Sequence, residues 1–233
     1  MNDIDSFGGS GVFSWTHKYL NQVLTTGDSP VVKNPLLVKA LQKIQREDFV
    51  PDVHKDKAFQ DVDLQIEDGT ILNKPTLICE MLELLDIKES GKYLDIGTGT
   101  AWLAALLAEA IGPKGVVYSM ERIESVARKA VSNIKKYPDL LNLFVIFRDG
   151  SNGLPEYATY DGIHLSVAMS QIPVLIKSQL AIGGRLVIPT LQNDIRLIVR
   201  INQNEYRESV HEGYYFDPIK EGVVMTQKPK VNN

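Results

Sequence analysis

The sequence predicts an α/β fold in which a mostly parallel, twisted sheet carries helices on both faces and ends in an antiparallel hairpin. From residue 75 onward, segments typical of strands alternate with amphipathic helical segments, which favours parallel strands joined by crossover helices. The last two β-rich segments, 195–201 and 208–216, have only a short polar connection between them. They therefore predict an antiparallel pair. A glycine-rich turn at Gly97 and Gly99 follows the first strand of the sheet, as in ligand-binding sheets of this kind.

The first part of the chain predicts short helices and an irregular segment. A glycine-rich lead at 1–11 precedes helices at 16–24 and 35–45, which are indicated by the helical spacing of apolar residues. Residues 52–74 are mostly polar and irregular, apart from a short strand predicted at 62–66. Long irregular segments in compact domains are often functional.

The rest of the chain predicts the sheet and its helices. A helix at 75–85 begins with proline in its first turn, and a helix at 123–136 has apolar residues along one face. The other predicted helices span 101–111 and 172–180. The predicted parallel strands span 93–96, 116–120, 143–147, 162–167 and 185–189.

The composition fits a globular protein without a nucleic-acid or membrane partner. Of the 233 residues, 44% are hydrophobic and 23% charged, as in ordinary folded domains. The net charge of −4 provides no basic field for nucleic acid or anionic lipid. Cys79 is the only cysteine, and the N-terminus lacks the basic start and apolar stretch of a signal peptide. We therefore expect a cytoplasmic protein, and we expect it to be a monomer.

The segment 92–101 combines a strand end, a glycine-rich turn and the start of a helix. A dinucleotide site would place a third glycine where this chain has Trp102, and a phosphate-binding loop would need a Gly-Lys-Ser/Thr sequence that is absent here. Asp95, just before the first glycine, would repel pyrophosphate and attract an amino group. A nucleoside that bears an amino group and a positive charge, such as S-adenosylmethionine (SAM), suits this turn better.

Two further acidic residues follow neighbouring strands. Glu121 ends the strand predicted at 116–120, where an acid can accept hydrogen bonds from both ribose hydroxyls, a role it shares with NAD sites. Asp149 and Gly150 follow the strand predicted at 143–147, where a carboxylate can accept from the adenine amino group. Acids at three successive strand ends predict one SAM site, and with it a Rossmann-like class I SAM-dependent methyltransferase fold.

Several segments carry a resemblance to a known family. Residues 94–100 read Leu-Asp-Ile-Gly-Thr-Gly-Thr, close to Leu-Glu-Ile-Gly-Thr-Gly-Ser, and residues 117–123 read Val-Tyr-Ser-Met-Glu-Arg-Ile, close to Val-Tyr-Thr-Ile-Glu-Arg-Ile. Residues 183–189 read Gly-Gly-Arg-Leu-Val-Ile-Pro. Shorter similarities lie at 48–51, 149–150 and 216–219. In this order the segments resemble the protein-L-isoaspartate (D-aspartate) O-methyltransferases.

The resemblance implies a reaction and a set of cofactor contacts. Members of that family use SAM to methylate the free carboxylate of L-isoaspartyl residues in damaged proteins or peptides, as a repair step. The resemblance implies that SAM binds through Asp95, Gly97, Gly99, Glu121 and Asp149. Their neighbours Thr98, Arg122 and Gly150 are expected to complete the cofactor site.

The predicted substrate loop departs from the family pattern. Where the family has roughly Gly-Tyr-Gly-Gln-Thr-Ile-Ser-Gln-Pro, residues 67–75 read Glu-Asp-Gly-Thr-Ile-Leu-Asn-Lys-Pro. Asn73 replaces a serine that helps to position the carboxylate, and its amide can still donate a hydrogen bond. Glu67 and Asp68 would oppose a carboxylate substrate unless they point away. We expect Asn73 to act in catalysis. The expected substrate contacts in this loop are Gly69, Ile71 and Leu72.

The strand predicted at 162–167 is expected to supply further substrate contacts. Ser166, Val167 and Ala168 stand where the family has Thr-Ala-Ala, and we expect them to form the pocket floor. His164 is expected to be a core or interface histidine. No histidine has metal-ligand spacing, so no metal site is predicted.

The sequence thus predicts one compact unit with two parts. Residues 1–74 would form an N-terminal helical extension and substrate loop, and residues 75–233 the SAM-binding methyltransferase domain. Methyl transfer to a carboxylate, whose ordinary pKa is roughly 3.5–4, needs alignment more than acid–base catalysis. Two alternatives stay open: a divergent methyltransferase for another peptide or small molecule, and a SAM-binding protein with little catalysis.

Overall fold

A seven-stranded sheet organises the part of the chain that the computed structural model describes, residues 17–226. The helices are α1 His17–Thr25, α2 Pro35–Lys43, α3 Pro75–Leu85, α4 Trp102–Ile111, α5 Glu124–Ile134 and α6 Val174–Ser178. The strands are β1 Leu64–Gln65, β2 Ile71–Leu72, β3 Lys92–Ile96, β4 Val116–Glu121, β5 Leu143–Phe147, β6 Tyr160–Leu165, β7 Leu180–Thr190, β8 Asp194–Arg200 and β9 Tyr206–Glu212. Short 3₁₀ helices cover Arg46–Phe49, Asp52–Lys57, Glu67–Gly69 and Pro155–Tyr157.

The large sheet has the strand order β5-β4-β3-β6-β7-β8-β9. Strands β3 to β7 pair in parallel, and β8 pairs antiparallel with both β7 and β9. The predicted parallel sheet with a C-terminal antiparallel hairpin is therefore confirmed. The chain builds outward from β3 in one direction and from β6 in the other, so the gap between these two strands is the switch point at which such sheets bind ligands.

Two clusters of buried side chains cover the two faces of the sheet. Tyr93 and Leu94, neighbours on β3, belong to different clusters, because successive side chains of a strand point to opposite faces. The first cluster contains residues of α1 to α4 and Ala130 of α5, and the second contains Ile176 of α6. Helices thus lie on both faces, although one face carries most of them.

The N-terminal helices pack on the first of these faces. Helix α2 buries Leu37, Ala40 and Leu41, and it begins where the Asn34 side chain accepts a hydrogen bond from the backbone N–H of Leu36 at 2.9 Å.

No helix within residues 17–226 has both the length and the apolar character needed to cross a bilayer.

Most predicted elements are present with shifted ends. The predicted strand 185–189 is longer, Leu180–Thr190, and it takes the last residue of the predicted helix 172–180, which shortens to Val174–Ser178. The predicted strand 208–216 ends at Glu212, because the chain turns at Gly213 with a φ of 91°. The lead at 1–11 and the first residue of the predicted helix 16–24 lie outside the described residues.

Candidate active site

A cavity of about 240 Å³ lies at the carboxyl ends of β3, β4 and β6. Its wall consists of the glycine-rich turn after β3, the end of β4, residues 148–150 after β5, the end of β6 with the residues that follow it, the β1–β2 hairpin, parts of α3 and α4, and residues 215–220. The cavity therefore occupies the switch point between β3 and β6, where the strand order places a ligand.

The glycine-rich turn approaches both neighbouring strands closely. Gly97 and Gly99 have φ angles of 96° and 53°, in the region that disfavours residues with a side chain. A Cβ atom on Gly97 would lie 3.1 Å from the Cβ of Ser166. The N–H groups of Gly97 and Thr98 both donate to the carbonyl oxygen of Met120 at 2.9 Å. The turn is thus pinned to β4 and leaves its other side open to the cavity.

Glu121 is a buried carboxylate on the cavity wall. One carboxylate oxygen accepts from the N–H of Gly99 and the other from the N–H of Ile123, both at 3.0 Å. The residue is only 4% exposed, and burial raises the pKa of its carboxyl group despite these hydrogen bonds. Each oxygen keeps acceptor capacity beyond these contacts, so the group can receive hydroxyl donors from the cavity.

Asp149 and Arg122 face the cavity and are held by the segment after β9. Asp149 accepts hydrogen bonds from the N–H groups of Ser151 and Gly222. Burial acts to raise the pKa of Asp149, but these hydrogen bonds outweigh it and the pKa lies below its usual range. The Nε of Arg122 donates to the carbonyl oxygen of Gly222 at 2.8 Å. The chain therefore returns after the last strand to close this side of the cavity.

Gly150 shows a second close approach of backbone to side chain. A Cβ atom at this position would lie 2.6 Å from the Cγ2 of Ile96, so a larger residue would displace the strand end next to the glycine-rich turn. Gly150 lines the cavity as the sequence predicted.

Asp95 lies behind the cavity wall and does not line it. It is 1% exposed. Its Oδ2 accepts from the hydroxyl of Ser119 at 2.6 Å, and its Oδ1 is 2.8 Å from the Nδ1 of His164. The predicted direct contact of this carboxylate with a ligand amino group is not what the structure shows, because two neighbouring strands already supply its partners. His164, expected to be a core histidine, is buried and also lines the cavity.

The predicted substrate loop forms a small hairpin at the cavity mouth. Leu64 pairs with Leu72 and Gln65 with Ile71; the sequence predicted a strand at 62–66 but not β2, because two residues show no periodicity. The predicted loop contacts Gly69, Ile71, Leu72 and Asn73 all line the cavity.

The carboxylates in and just before this loop differ in their relation to the cavity. Glu67 is exposed and does not line the cavity, whereas Asp63 does. The Oδ1 of Asp63 accepts a hydrogen bond from the N–H of Lys74 at 2.7 Å. A carboxylate just before the loop therefore does lie on the wall.

Arg46 holds the loop from beneath, a role that the sequence did not indicate. Its side chain is 0% exposed. Its guanidinium donates to the carbonyl oxygens of Ala58, Gln60, Val62 and Asn73 at 3.0 to 3.2 Å. Burial lowers the pKa of Arg46 to about 10, so it stays cationic at neutral pH. These carbonyl partners lie 12 to 27 residues away from Arg46 along the chain, so no local sequence pattern predicts them.

The segment directly after β6 contributes two of the three residues predicted for the pocket floor. Ser166 and Val167 line the cavity, but Ala168 does not. Ala168 is fully buried, and its backbone exchanges hydrogen bonds with Asp217 and Ile219 at 2.8 Å. Ala168 therefore belongs to the layer behind the floor, where it fixes the segment after β9 against the site.

Comparison with known proteins gives consistent matches. The family model described as "Protein-L-isoaspartate(D-aspartate) O-methyltransferase (PCMT)" matches residues 20–222. The protein-L-isoaspartate O-methyltransferase of Methanothermobacter thermautotrophicus is 33% identical over 192 residues, which cover 81% of this chain and 88% of that protein. The corresponding protein of Methanothrix thermoacetophila is 35% identical over 183 residues, 78% of this chain and 87% of that one.

A solved structure shows the same fold. The beta-aspartate methyltransferase (PCMT) from Plasmodium falciparum, in complex with S-adenosyl-L-homocysteine, has a TM-score of 0.73 and 19% sequence identity to this chain. The match covers 82% of this chain and 92% of that one.

Proposed function

The chain belongs to the protein-L-isoaspartate(D-aspartate) O-methyltransferase family, and from this premise we propose that it transfers a methyl group from SAM to the free carboxylate of L-isoaspartyl residues in damaged proteins or peptides. The observation that carries the proposal is a shared cavity. The glycine-rich turn and Glu121 form one part of its wall, and the β1–β2 hairpin with Asn73 forms another. A methyl donor and an acceptor bound at these two ends would meet inside it.

The residues of the cofactor end fit SAM. Glu121 is buried on the wall with acceptor capacity left for the ribose hydroxyls. Asp149 accepts from two backbone N–H groups and has capacity left for the adenine amino group. When bound, SAM supplies an electrophilic methyl group on a positively charged sulfur. The proposed cofactor contacts are Gly97, Thr98, Gly99, Glu121, Arg122, Asp149 and Gly150, with Asp95 behind them.

The residues of the substrate end orient the acceptor and exclude water. The isoaspartyl carboxylate is ionised at neutral pH, so no base is needed to activate it. We assign to the Asn73 amide a hydrogen bond to this carboxylate, and contacts with the substrate to Gly69, Ile71, Leu72, Ser166 and Val167. Good alignment of reacting groups can supply roughly 7–11 kcal/mol of the barrier. The chain therefore acts by positioning.

The net charge of the chain bears on its location and on its partners. The net charge of −4 gives no basic field for nucleic acid or anionic lipid. We propose a cytoplasmic monomer whose partners are isoaspartyl-containing proteins or peptides.

The test is a methyl-transfer assay with an isoaspartyl peptide and the same peptide containing ordinary aspartate. We expect transfer to the isoaspartyl peptide only. The Asn73→Ala variant should lower that activity, whereas Asn204→Ala, in the exposed β8–β9 turn, should match the wild-type protein. Binding of S-adenosylhomocysteine without transfer to either peptide would contradict the proposed substrate.

One observation favours a second candidate, a related methyltransferase with a different acceptor. Asp63 places a carboxylate on the wall of the substrate end, where it would repel an anionic acceptor. If Asp63 selects a different acceptor, Asp63→Asn should leave transfer to the isoaspartyl peptide absent. If it only weakens the proposed reaction, the same change should raise that transfer.

A further inference from the structure

A row of polar side chains crosses the sheet beneath the cavity. Asp95 of β3 is the register partner of Ser119 on β4 and of His164 on β6. The three side chains are hydrogen-bonded in that row, and Thr98 of the glycine-rich turn bonds to the hydroxyl of Ser119. All four residues are buried. Thr98 and His164 line the cavity, so the row joins two points of its wall through Asp95.

One atom of this row has no partner. The Nε2 of His164 is buried and makes no hydrogen bond, while the Nδ1 of the same ring is 2.8 Å from Asp95. A buried polar atom without a partner costs free energy, of the order of 1–3 kcal/mol. Because a carboxylate only accepts hydrogen bonds, Nδ1 carries the hydrogen, and Nε2 of the neutral ring is an acceptor. A ligand that supplies a donor at this point would remove the cost.

Depth and charge together indicate which ligand group this is. His164 of β6 is 1% exposed, whereas Ser166, two residues further along the chain, is only half-buried, so His164 lies deeper in the site. The carboxylate of Asp95 stands directly behind the ring, so the local field favours a cation and opposes a carboxylate. The cationic donor at the amino-acid end of SAM is its α-ammonium group.

We propose that the Nε2 of His164 accepts a hydrogen bond from the α-ammonium group of SAM, and that Asp95 is the positioning residue that sets the tautomer and orientation of the ring. The inference rests on the proposed function, because it takes SAM as the ligand. In this proposal His164 contacts the amino group and Asp95 acts through His164. The sequence analysis had instead expected Asp95 to contact the amino group directly.

The test compares three ligands by isothermal titration calorimetry. S-adenosylhomocysteine has the amino and carboxylate groups, its decarboxylated form keeps only the amino group, and 5′-methylthioadenosine has neither. The variant His164→Asn keeps an N–H donor toward Asp95 but has no atom at the place of Nε2. We expect it to bind the two amino-bearing ligands about tenfold or more weakly, as for one lost hydrogen bond to a charged group, and 5′-methylthioadenosine with unchanged affinity.

A second variant tests the role of Asp95. Asp95→Asn can turn its amide so that His164 carries the hydrogen on Nε2. We expect the affinity for the two amino-bearing ligands to fall and that for 5′-methylthioadenosine to stay the same. His211→Asn, on the edge strand β9, is the matched control and should bind all three ligands as the wild-type protein does.

The other outcomes overturn the inference in distinguishable ways. Equal affinities of wild-type and His164→Asn protein for all three ligands would show that Nε2 does not contact the cofactor. An equal loss for all three would indicate a structural role, and a loss for S-adenosylhomocysteine alone would indicate the carboxylate. Failure of the wild-type protein to bind S-adenosylhomocysteine would instead contradict the proposed function itself.

Discussion

The two ends of the cavity are built from different kinds of structure. The cofactor end consists of segments that follow β3, β4 and β5 of the large sheet. There Glu121 accepts a hydrogen bond from the N–H of Gly99, and Asp149 accepts one from the N–H of Ser151. The substrate end is a hairpin of two-residue strands outside that sheet. Its position depends on the guanidinium of Arg46, which binds carbonyl groups on both sides of the hairpin.

Because of this difference, substitutions at the two ends of the cavity are expected to have different effects. Most of the cofactor end follows β3 and β4, which are paired on both sides, so the sheet resists changes there and the loss falls on ligand contacts. Changes at the substrate end act on a segment held by few interactions, and they can alter acceptor binding while the cofactor site keeps its shape. The acceptor specificity can therefore change while the methyl donor stays the same.

The largest effect is expected at Arg46. Replacement by methionine leaves several buried carbonyl oxygens without donors, and leaving a buried acceptor without a partner costs about 1–3 kcal/mol. We expect the free energy of unfolding in urea to fall by that amount and turnover of the isoaspartyl peptide to be lost. The control is Arg207→Met on the exposed edge strand β9, which should change neither. A stable Arg46→Met protein with normal turnover would contradict the role assigned to this residue.

The next effect concerns the cofactor end alone. Glu121→Gln keeps the shape of the side chain but leaves one oxygen in place of two, so either a backbone N–H or a ribose hydroxyl loses its acceptor. We expect the affinity for S-adenosylhomocysteine to fall about tenfold to hundredfold, as for hydrogen bonds worth roughly 1.5–3 kcal/mol. The KM for the peptide should stay near the wild-type value. Glu205→Gln, in the exposed β8–β9 turn, is the control for charge.

A smaller effect is expected at Asn73. The serine of the family pattern has a shorter side chain and a hydroxyl donor, so Asn73→Ser should raise kcat/KM for the isoaspartyl peptide about fivefold, equivalent to roughly 1 kcal/mol. The affinity for S-adenosylhomocysteine should not change, because the residue lies on the substrate end. An unchanged kcat/KM would indicate that the loop serves another acceptor.

The smallest effect is a pH dependence at Glu121. Burial raises the pKa of this carboxyl group above its ordinary value of 4.5, so the folded protein binds the proton more tightly than the unfolded chain does. The contribution of Glu121 to the free energy of unfolding is therefore complete below pH 4.5 and is lost as the pH rises through the raised pKa.

Denaturation of the wild-type protein and Glu121→Gln without cofactor measures this contribution. Between about pH 4 and pH 7, the free energy of unfolding of the wild-type protein minus that of the variant should fall with rising pH and then become level. A difference that grows with pH would mean that the fold stabilises the ionised carboxylate instead.

Sequence patterns predicted the elements of the sheet well and their ends less well. Helix α3 and strand β5 have the predicted bounds. Their signals are local: α3 begins with a proline and has apolar residues at helical spacing, and β5 is a continuous apolar run. The hairpin β1–β2 was only half predicted, since each strand has two residues and owes its conformation to its partner. The role of Arg46 could not be predicted for the same reason: it depends on carbonyl partners that are distant in the sequence.

The sequence by itself determined the parallel sheet, the glycine-rich turn and the edge of the sheet at which the site lies. These follow from local periodicity and from the rule that parallel strands bring their carboxyl ends to one edge. Only the tertiary structure decided that Asp95 bonds to Ser119 and His164, and that Gly222 bonds to Asp149. These partners are 24, 69 and 73 residues apart along the chain. Side chains so distant in sequence meet through packing, and no pattern within a segment records which of them will face a ligand and which will face each other.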